Sequence, residues 1–229
     1  MMTLVFVFGS PGSGKSTAAG YIESIIQALG NSWSALRFND YKILDDWFHA
    51  DTGHTKFRPR EYDGFDILDP DIYDEALKVL KCKVQKYKPP TENGIVVIEF
   101  ARCDYRNALE EFGKGFMQDA YFLFIDSDIE SCVHRVQERV RHPDTLDDHF
   151  TSEFVFECYR QGHSNYIAST LCILKTIYGI DDQEIRIVDN SRLHSKEDLY
   201  EEMKAFVDDL AQTLSPPHNN APTILDTLV

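Results

Sequence analysis

The apolar run Leu4–Phe8 (LVFVF), followed at once by Gly9-Ser10-Pro11-Gly12-Ser13-Gly14-Lys15-Ser16-Thr17, constrains this chain more than any other feature. The apolar run reads as a strand buried on both faces of a parallel sheet. The residues after it fit G-x-x-x-x-G-K-[ST]. Ala18, Ala19, Ile22, Ile25, Ile26 and Leu29 then mark one face of a helix that stops near Gly30. A strand, a glycine-rich turn and a helix, in that order, is the context in which this pattern carries chemistry. Glycines let the backbone wrap a phosphate closely, and the loop amides and helix N-terminus supply positive potential. Gly9, Ser10, Pro11, Gly12, Ser13, Gly14, Lys15, Ser16 and Thr17 are therefore the expected nucleotide-binding set. In that set Lys15 reaches the β- and γ-phosphates and Ser16 is a ligand of Mg²⁺.

Further apolar runs at Ala35–Phe38, Ile95–Ile98, Tyr121–Ile125 and Ile185–Val188 predict four more strands. Helical faces alternate with them, one carrying Ile129, Cys132, Val133, Val136 and Val140, and a closing one carrying Leu199, Met203, Phe206, Val207 and Leu210. This alternation predicts an α/β fold, a parallel sheet with helices on both faces. Residues 49–74 break the rhythm, being polar, aromatic and rich in turn formers, and read as an excursion that grips substrate. The expected organisation is one domain over 1–213, with a substrate excursion at about 45–75 and a lid at about 135–165, then a Pro/Asn-rich tail over 214–229.

Charge narrows the partners. With 38 Asp+Glu against 23 Lys+Arg the formal net charge is -15, which repels phosphate backbones and anionic membranes. A small-molecule substrate is expected rather than nucleic acid. The basic cluster Lys78, Lys81, Lys83, Lys86 and Lys88 reads as a solvated helix face. The five cysteines, Cys82, Cys103, Cys132, Cys158 and Cys172, form no C-x-x-C pair and are expected to be reduced, several of them in the core. Leu4–Phe8 is too short for a secretory apolar region and no stretch reaches membrane-span length, so a cytoplasmic location is the expectation. No signal speaks to oligomeric state.

Beyond the loop, candidates sit at predicted strand ends. Asp40, in Arg37-Phe38-Asn39-Asp40-Tyr41-Lys42, either orients and deprotonates an acceptor hydroxyl or caps the next helix, a task open equally to Asn39. Glu99 closes Ile95–Ile98 as an acid able to hold Mg²⁺ directly or through water. Arg102 either fixes a substrate anion or pairs with Asp104. Arg135 and Arg139, one helical turn apart, are either lid arginines that stabilise charge on a transferring phosphoryl group or a solvated face. Asn190, after the last strand, either positions an adenine edge or is a turn residue. The eight histidines lack the spacing of a metal site. No guanine-reading N-K-x-D occurs.

Several of these segments, in order, resemble the P-loop kinases of small molecules, with a layout similar to the uridine kinase and phosphoribulokinase group. They are GSPGSGKST, NDYK, YDGFDILDPDIYDEALKVL, IVVIEF and FLFIDSDIESCVHRVQERVR. The resemblance implies a three-layer P-loop NTPase fold, a five-stranded parallel sheet in order 2-3-1-4-5 and a helical lid. It also implies phosphoryl transfer from ATP with Mg²⁺, with Asp40 as base and Arg135 and Arg139 in the lid. Phe100 departs from the pattern, since the group usually has glycine after the strand-three acid. The acid-x-x-Arg spacing of Glu99 and Arg102 is also similar to zeta-toxin kinases, and Asp40-Tyr41 to polynucleotide kinases. A 5′-hydroxyl polynucleotide kinase and a regulatory P-loop NTPase remain the alternatives.

Overall fold

The structure, a computed structural model, describes residues 2–62, 64–143, 145, 148–162, 166–192 and 195–214. Its centre is β1 (Met2–Phe8), parallel to β5 (Asn93–Glu99) on one side and β6 (Tyr121–Asp126) on the other. β2 (Trp33–Asn39) lies outside β5, and β7 (Ile185–Asp189) outside β6, giving the order β2-β5-β1-β6-β7. Counting only these five strands, that is the 2-3-1-4-5 order that the resemblance implies. All five run the same way, so their carboxyl ends, followed or closed by Gly9, Asp40, Glu99, Asp126 and Asp189, open on one crevice.

Alternation along β1 divides the interior. Leu4, Phe6 and Phe8 enter one apolar layer, while Val5 and Val7 enter the other. The Val side is covered by α1 (Lys15–Ala28) and α9 (Lys196–Leu214). Ala18, Ala19, Ile22 and Ile26 of α1 meet the stripe Leu199, Met203, Phe206, Val207 and Leu210 of α9. The Phe side is covered by α2 (Tyr41–Ala50), α3 (Asp71–Lys86), α4 (Arg106–Phe112), the short α5 (Lys114–Met117) and α8 (Tyr166–Ile173). Phe6, Phe8, Phe100, Tyr105, Phe112 and Phe122 form a continuous aromatic cluster there, with Phe6 stacked on Phe122 at 5.3 Å.

The excursion is a small hairpin, β3 (Phe57–Pro59) with β4 (Phe65–Ile67), held to α2 by Phe48 against Phe57 and Phe65. Ahead of it the Asp51 carboxylate accepts the amides of Thr55, Lys56 and Phe57, which shapes the entry to β3. The expected lid region contains α6 (Ile129–Arg141) and α7 (Glu153–Gly162), which share a small core of their own: Ile129, Cys132, Val136, Val140, Phe156 and Tyr159. Asp128 caps α6, its Oδ1 accepting the Ser131 amide at 2.8 Å. The tail from residue 215 lies outside the described residues. All five cysteines are free thiols. Only Cys132 is buried, a correction to the expectation of several core cysteines, because Cys82, Cys103 and Cys172 fall on outward positions. Among the described residues no helix is long and apolar enough to cross a membrane.

Candidate active site

The glycine-rich loop is built so that only glycine fits its tightest points. At Gly12, φ is +79° and a Cβ would stand 2.3 Å from the Cys132 carbonyl oxygen of α6. At Gly14, φ is +103° and a Cβ would stand 2.6 Å from Asn190 Nδ2. The loop backbone is thereby held against its neighbours in a conformation that other residues resist. It delivers the chain into α1, whose first turn carries no acidic side chain to offset its positive end. The Ser13 hydroxyl is buried and has no hydrogen-bond partner among the described residues. Lys15 is buried, donating from Nζ to the Ser10 carbonyl at 2.8 Å. Burial pulls its amine down to about 8; Glu99 opposes this, and Arg139 adds to it. An amine that is costly to keep charged in this pocket gains by meeting a phosphate, and the loop therefore fits a triphosphate.

Ser16 Oγ donates to Glu99 Oε1 at 2.7 Å, joining the first turn of α1 to the end of β5. Arg37, a neighbour the sequence reading missed, holds the other carboxylate oxygen, Oε2, through Nε at 2.8 Å and a terminal nitrogen at 2.6 Å. With Oε2 engaged, the Ser16–Glu99 pair suits a hydrated cation bound through water better than one ligated directly by the carboxylate. Among the described residues no cluster of three His, Cys, Asp or Glu side chains forms a self-contained metal cage. The hydroxyl and carboxylate oxygens of Ser16 and Glu99 are the hard donor type that Mg²⁺ takes, alongside waters and substrate phosphates.

Facing the loop, Asp40 begins α2 but does not cap it with its side chain. Asn39 does so, accepting the Lys42 amide at 3.0 Å. The Asp40 carboxylate instead receives Arg102 at 2.7 Å, in a pair whose side chains are 8% and 12% exposed. Arg102 also donates to the carbonyls of Ala101 and Tyr73 and lies 4.7 Å from the Tyr73 ring centroid. Its expected alternative partner, Asp104, accepts the Arg106 amide. Phe100 is buried against Phe8, Tyr105 and Phe112, so the residue that departs from the family pattern serves the core and one wall of the cleft. Tyr41 is stacked between Phe65 and His149, with ring centroids 5.7 Å and 3.5 Å away.

Arg135 and Arg139 both line the cleft from α6. Arg135 braces the loop, donating to Gly12 O, Ser127 Oγ and Asn190 O. Arg139 donates to the His149 carbonyl at 3.3 Å. Asn190, read either as an adenine-edge residue or as a turn residue, lies against the loop. Its Nδ2 donates to the Ser13 carbonyl at 2.6 Å and its backbone amide to the Asp126 carbonyl at 2.7 Å, so it supports the loop. Tyr105 was also missed. Its buried hydroxyl accepts the Gly9 amide at 3.1 Å, and burial pushes the phenol up.

These parts enclose one cavity of about 1280 Å³, with Gly12, Lys15 and Ser16 on one side and Asp40, Arg102 and the hairpin on the other. That exceeds the roughly 300–1,000 Å³ of a single-ligand pocket, leaving room for two ligands across a common gap. No family model and no curated protein matches the chain. Solved structures do. Kti12 of Chaetomium thermophilum, in complex with ADP-AlF3, is 12% identical with a TM-score of 0.55, over 90% of this chain and 97% of that one. A gluconokinase from Sinorhizobium meliloti 1021 is 15% identical with a TM-score of 0.50, over 93% and 95%. The likeness establishes the fold of the P-loop kinases.

Proposed function

We propose that this protein transfers the γ-phosphoryl group of ATP to a hydroxyl of a small molecule. The observation that carries the reading is the single cavity joining the phosphate loop to the buried Asp40–Arg102 pair. A purely regulatory nucleotide site has no need of a second, carboxylate-bearing wall across from its phosphates. The shared P-loop kinase fold supports the reading at the level of architecture.

In this reading the loop amides and Lys15 hold the phosphates, and Arg135 keeps the loop in shape from behind. Mg²⁺, held by Ser16 and through water by Glu99, would neutralise charge on the β- and γ-phosphates. Asp40 accepts the proton of the acceptor hydroxyl as that oxygen attacks, and Arg102 fixes the carboxylate's orientation. Arg139, on the lid, stabilises charge on the transferring group, and the lid core of Phe156 and Tyr159 excludes water. Catalysis is then mostly positioning and electrostatics.

The test incubates purified protein with ATP and Mg²⁺ against pooled nucleosides, sugars, sugar acids, vitamins and a 5′-hydroxyl oligonucleotide, with products read by mass spectrometry. An acceptor that gains one phosphoryl group with wild type and not with Asp40→Ala is the expected result. ADP release with no modified acceptor in any pool would contradict the reading. Modification of the oligonucleotide alone would move the acceptor class to nucleic acid.

A further inference from the structure

We propose that the acceptor carries a compact oxyanion, a carboxylate or phosphate monoester, and that Arg58 binds it. This rests on the phosphoryl-transfer reading above and names its acceptor class. The hairpin register sets Arg58 of β3 directly opposite Asp66 of β4, and Arg60 follows just past the end of β3 at Pro59. Asp66 is already held by Arg60, whose Nε donates to it at 2.5 Å. The hairpin alone therefore brings two guanidinium groups, Arg58 and Arg60, to the cavity lining beside the single carboxylate of Asp66.

The other cavity-lining arginines are all engaged: Arg60 by Asp66, Arg102 by Asp40, Arg135 by the loop and Ser127, Arg139 by the His149 carbonyl. Arg58 lines the same cavity and has no hydrogen-bond or ion-pair partner among the described residues. Arg58 is solvent-exposed, and an unpaired guanidinium on the lining of this cavity is available to an anionic ligand. Arg102, which lines the same cavity, keeps a buried Nε–H that also meets no acceptor among the described residues.

The location separates this wall from the triphosphate. The hairpin packs on α2 through Phe48, and Phe65 stacks on Tyr41, the residue after Asp40, so Arg58 belongs to the Asp40 side of the gap. A planar guanidinium fork matches a carboxylate or phosphate with two parallel hydrogen bonds. The overall charge of -15 repels anions at a distance, and an anionic acceptor therefore needs a local cation of this kind to dwell in the cleft.

Two measurements on the full chain test the assignment. In the first, the phosphate loop is filled with a non-hydrolysable ATP analogue and Mg²⁺, and inorganic phosphate is titrated while thermal unfolding is followed. Wild type is stabilised, Arg58→Gln needs about tenfold more phosphate for the same shift, and Arg58→Lys falls between, keeping charge without the fork. Equal stabilisation of wild type and Arg58→Gln, or none in wild type, overturns the proposal.

In the second, turnover is compared for gluconate against glucitol and for glycerate against glycerol. A preference for the carboxylate member that Arg58→Gln abolishes, with the KM for ATP unchanged, supports the assignment. A preference for the neutral member overturns the oxyanion and leaves phosphoryl transfer standing. If neither pair is turned over, the phosphate titration decides the oxyanion, and the acceptor screen separately decides the transfer reading.

Discussion

The two walls of the cleft are built on opposite plans. The loop wall is one contiguous segment, Gly9–Thr17, clamped from outside: Tyr105 on Gly9, Arg135 on Gly12, Asn190 on Ser13 and Cys132 Sγ on the Ser10 hydroxyl at 3.3 Å. The facing wall is gathered from distant pieces: Asp40 from the end of β2, the hairpin from the excursion, Tyr73 from α3, Arg102 from beyond β5 and His149 from the lid region. One wall is a rigid cradle for a common ligand, whereas the other is a mosaic whose members can change separately. Under the proposed phosphoryl transfer, the loop wall would set nucleotide affinity, and the mosaic would set acceptor choice and chemistry.

The sharpest way to break that division is through the buried pair. Arg102→Ala leaves the Asp40 carboxylate uncompensated and is expected to cost about 3–5 kcal/mol of stability, read as a lowered midpoint in urea. The Asp40→Ala/Arg102→Ala double variant should cost clearly less than the sum of the singles. Additive losses would mean that the pair does not act as a unit.

Next in size is Gly12→Ala. Its Cβ would meet backbone rather than a yielding side chain, at a position of positive φ. ATP affinity should fall roughly a hundredfold, by calorimetric titration, with the far-UV spectrum unchanged.

A smaller effect is expected for Asn190→Ala. Loss of the hydrogen bond to the Ser13 carbonyl should weaken ATP by about tenfold through the loop and leave the KM of an acceptor unchanged. A change confined to acceptor KM would erase the distinction between the walls.

The mildest test is the exposed turn ahead of the hairpin. The amide of Lys56, with the amides and hydroxyl around it, holds Asp51 well below the usual carboxylate range, at about 2. A carboxyl depressed on folding stabilises above its unfolded value of 3.8, and that contribution is lost as pH falls from there through about 2. Amide exchange at Thr55, Lys56 and Phe57, taken relative to the intrinsic rate at each pH, should quicken over that window in wild type. In Asp51→Asn it should be fast throughout.

The same contrast explains how much was legible in the sequence. Short apolar runs made β1, β2, β5, β6 and β7 readable, and the stripe of α9 was readable too, while the strand order was implied by the family resemblance and not by the runs themselves. The phosphate loop was readable because all its parts are consecutive. Asp40 was visible at its strand end, but its partner was not, because Arg102 comes from 62 positions away and Asp104 stood nearer in the chain. Arg37 was hidden for the same reason: it lies inside β2, and only strand pairing brings it to Glu99. Asn190 was correctly placed at the end of the last strand. Its side chain turns to the loop because Gly14, lacking a Cβ, leaves room for the amide. A three-residue hairpin offers too few positions for periodicity to show, so β3 and β4 read as loop.

In the proposed function, nucleotide binding and phosphoryl transfer belong to separate walls of one cavity, and Asp40→Asn addresses that division most directly. The substitution preserves shape and removes the proton acceptor. ATP affinity by calorimetry and acceptor phosphorylation by mass spectrometry are measured on the same preparation. The account predicts an affinity within about threefold of wild type and transfer reduced by about a hundredfold or more. Transfer at the wild-type rate, or ATP binding lost in step with it, would contradict the account.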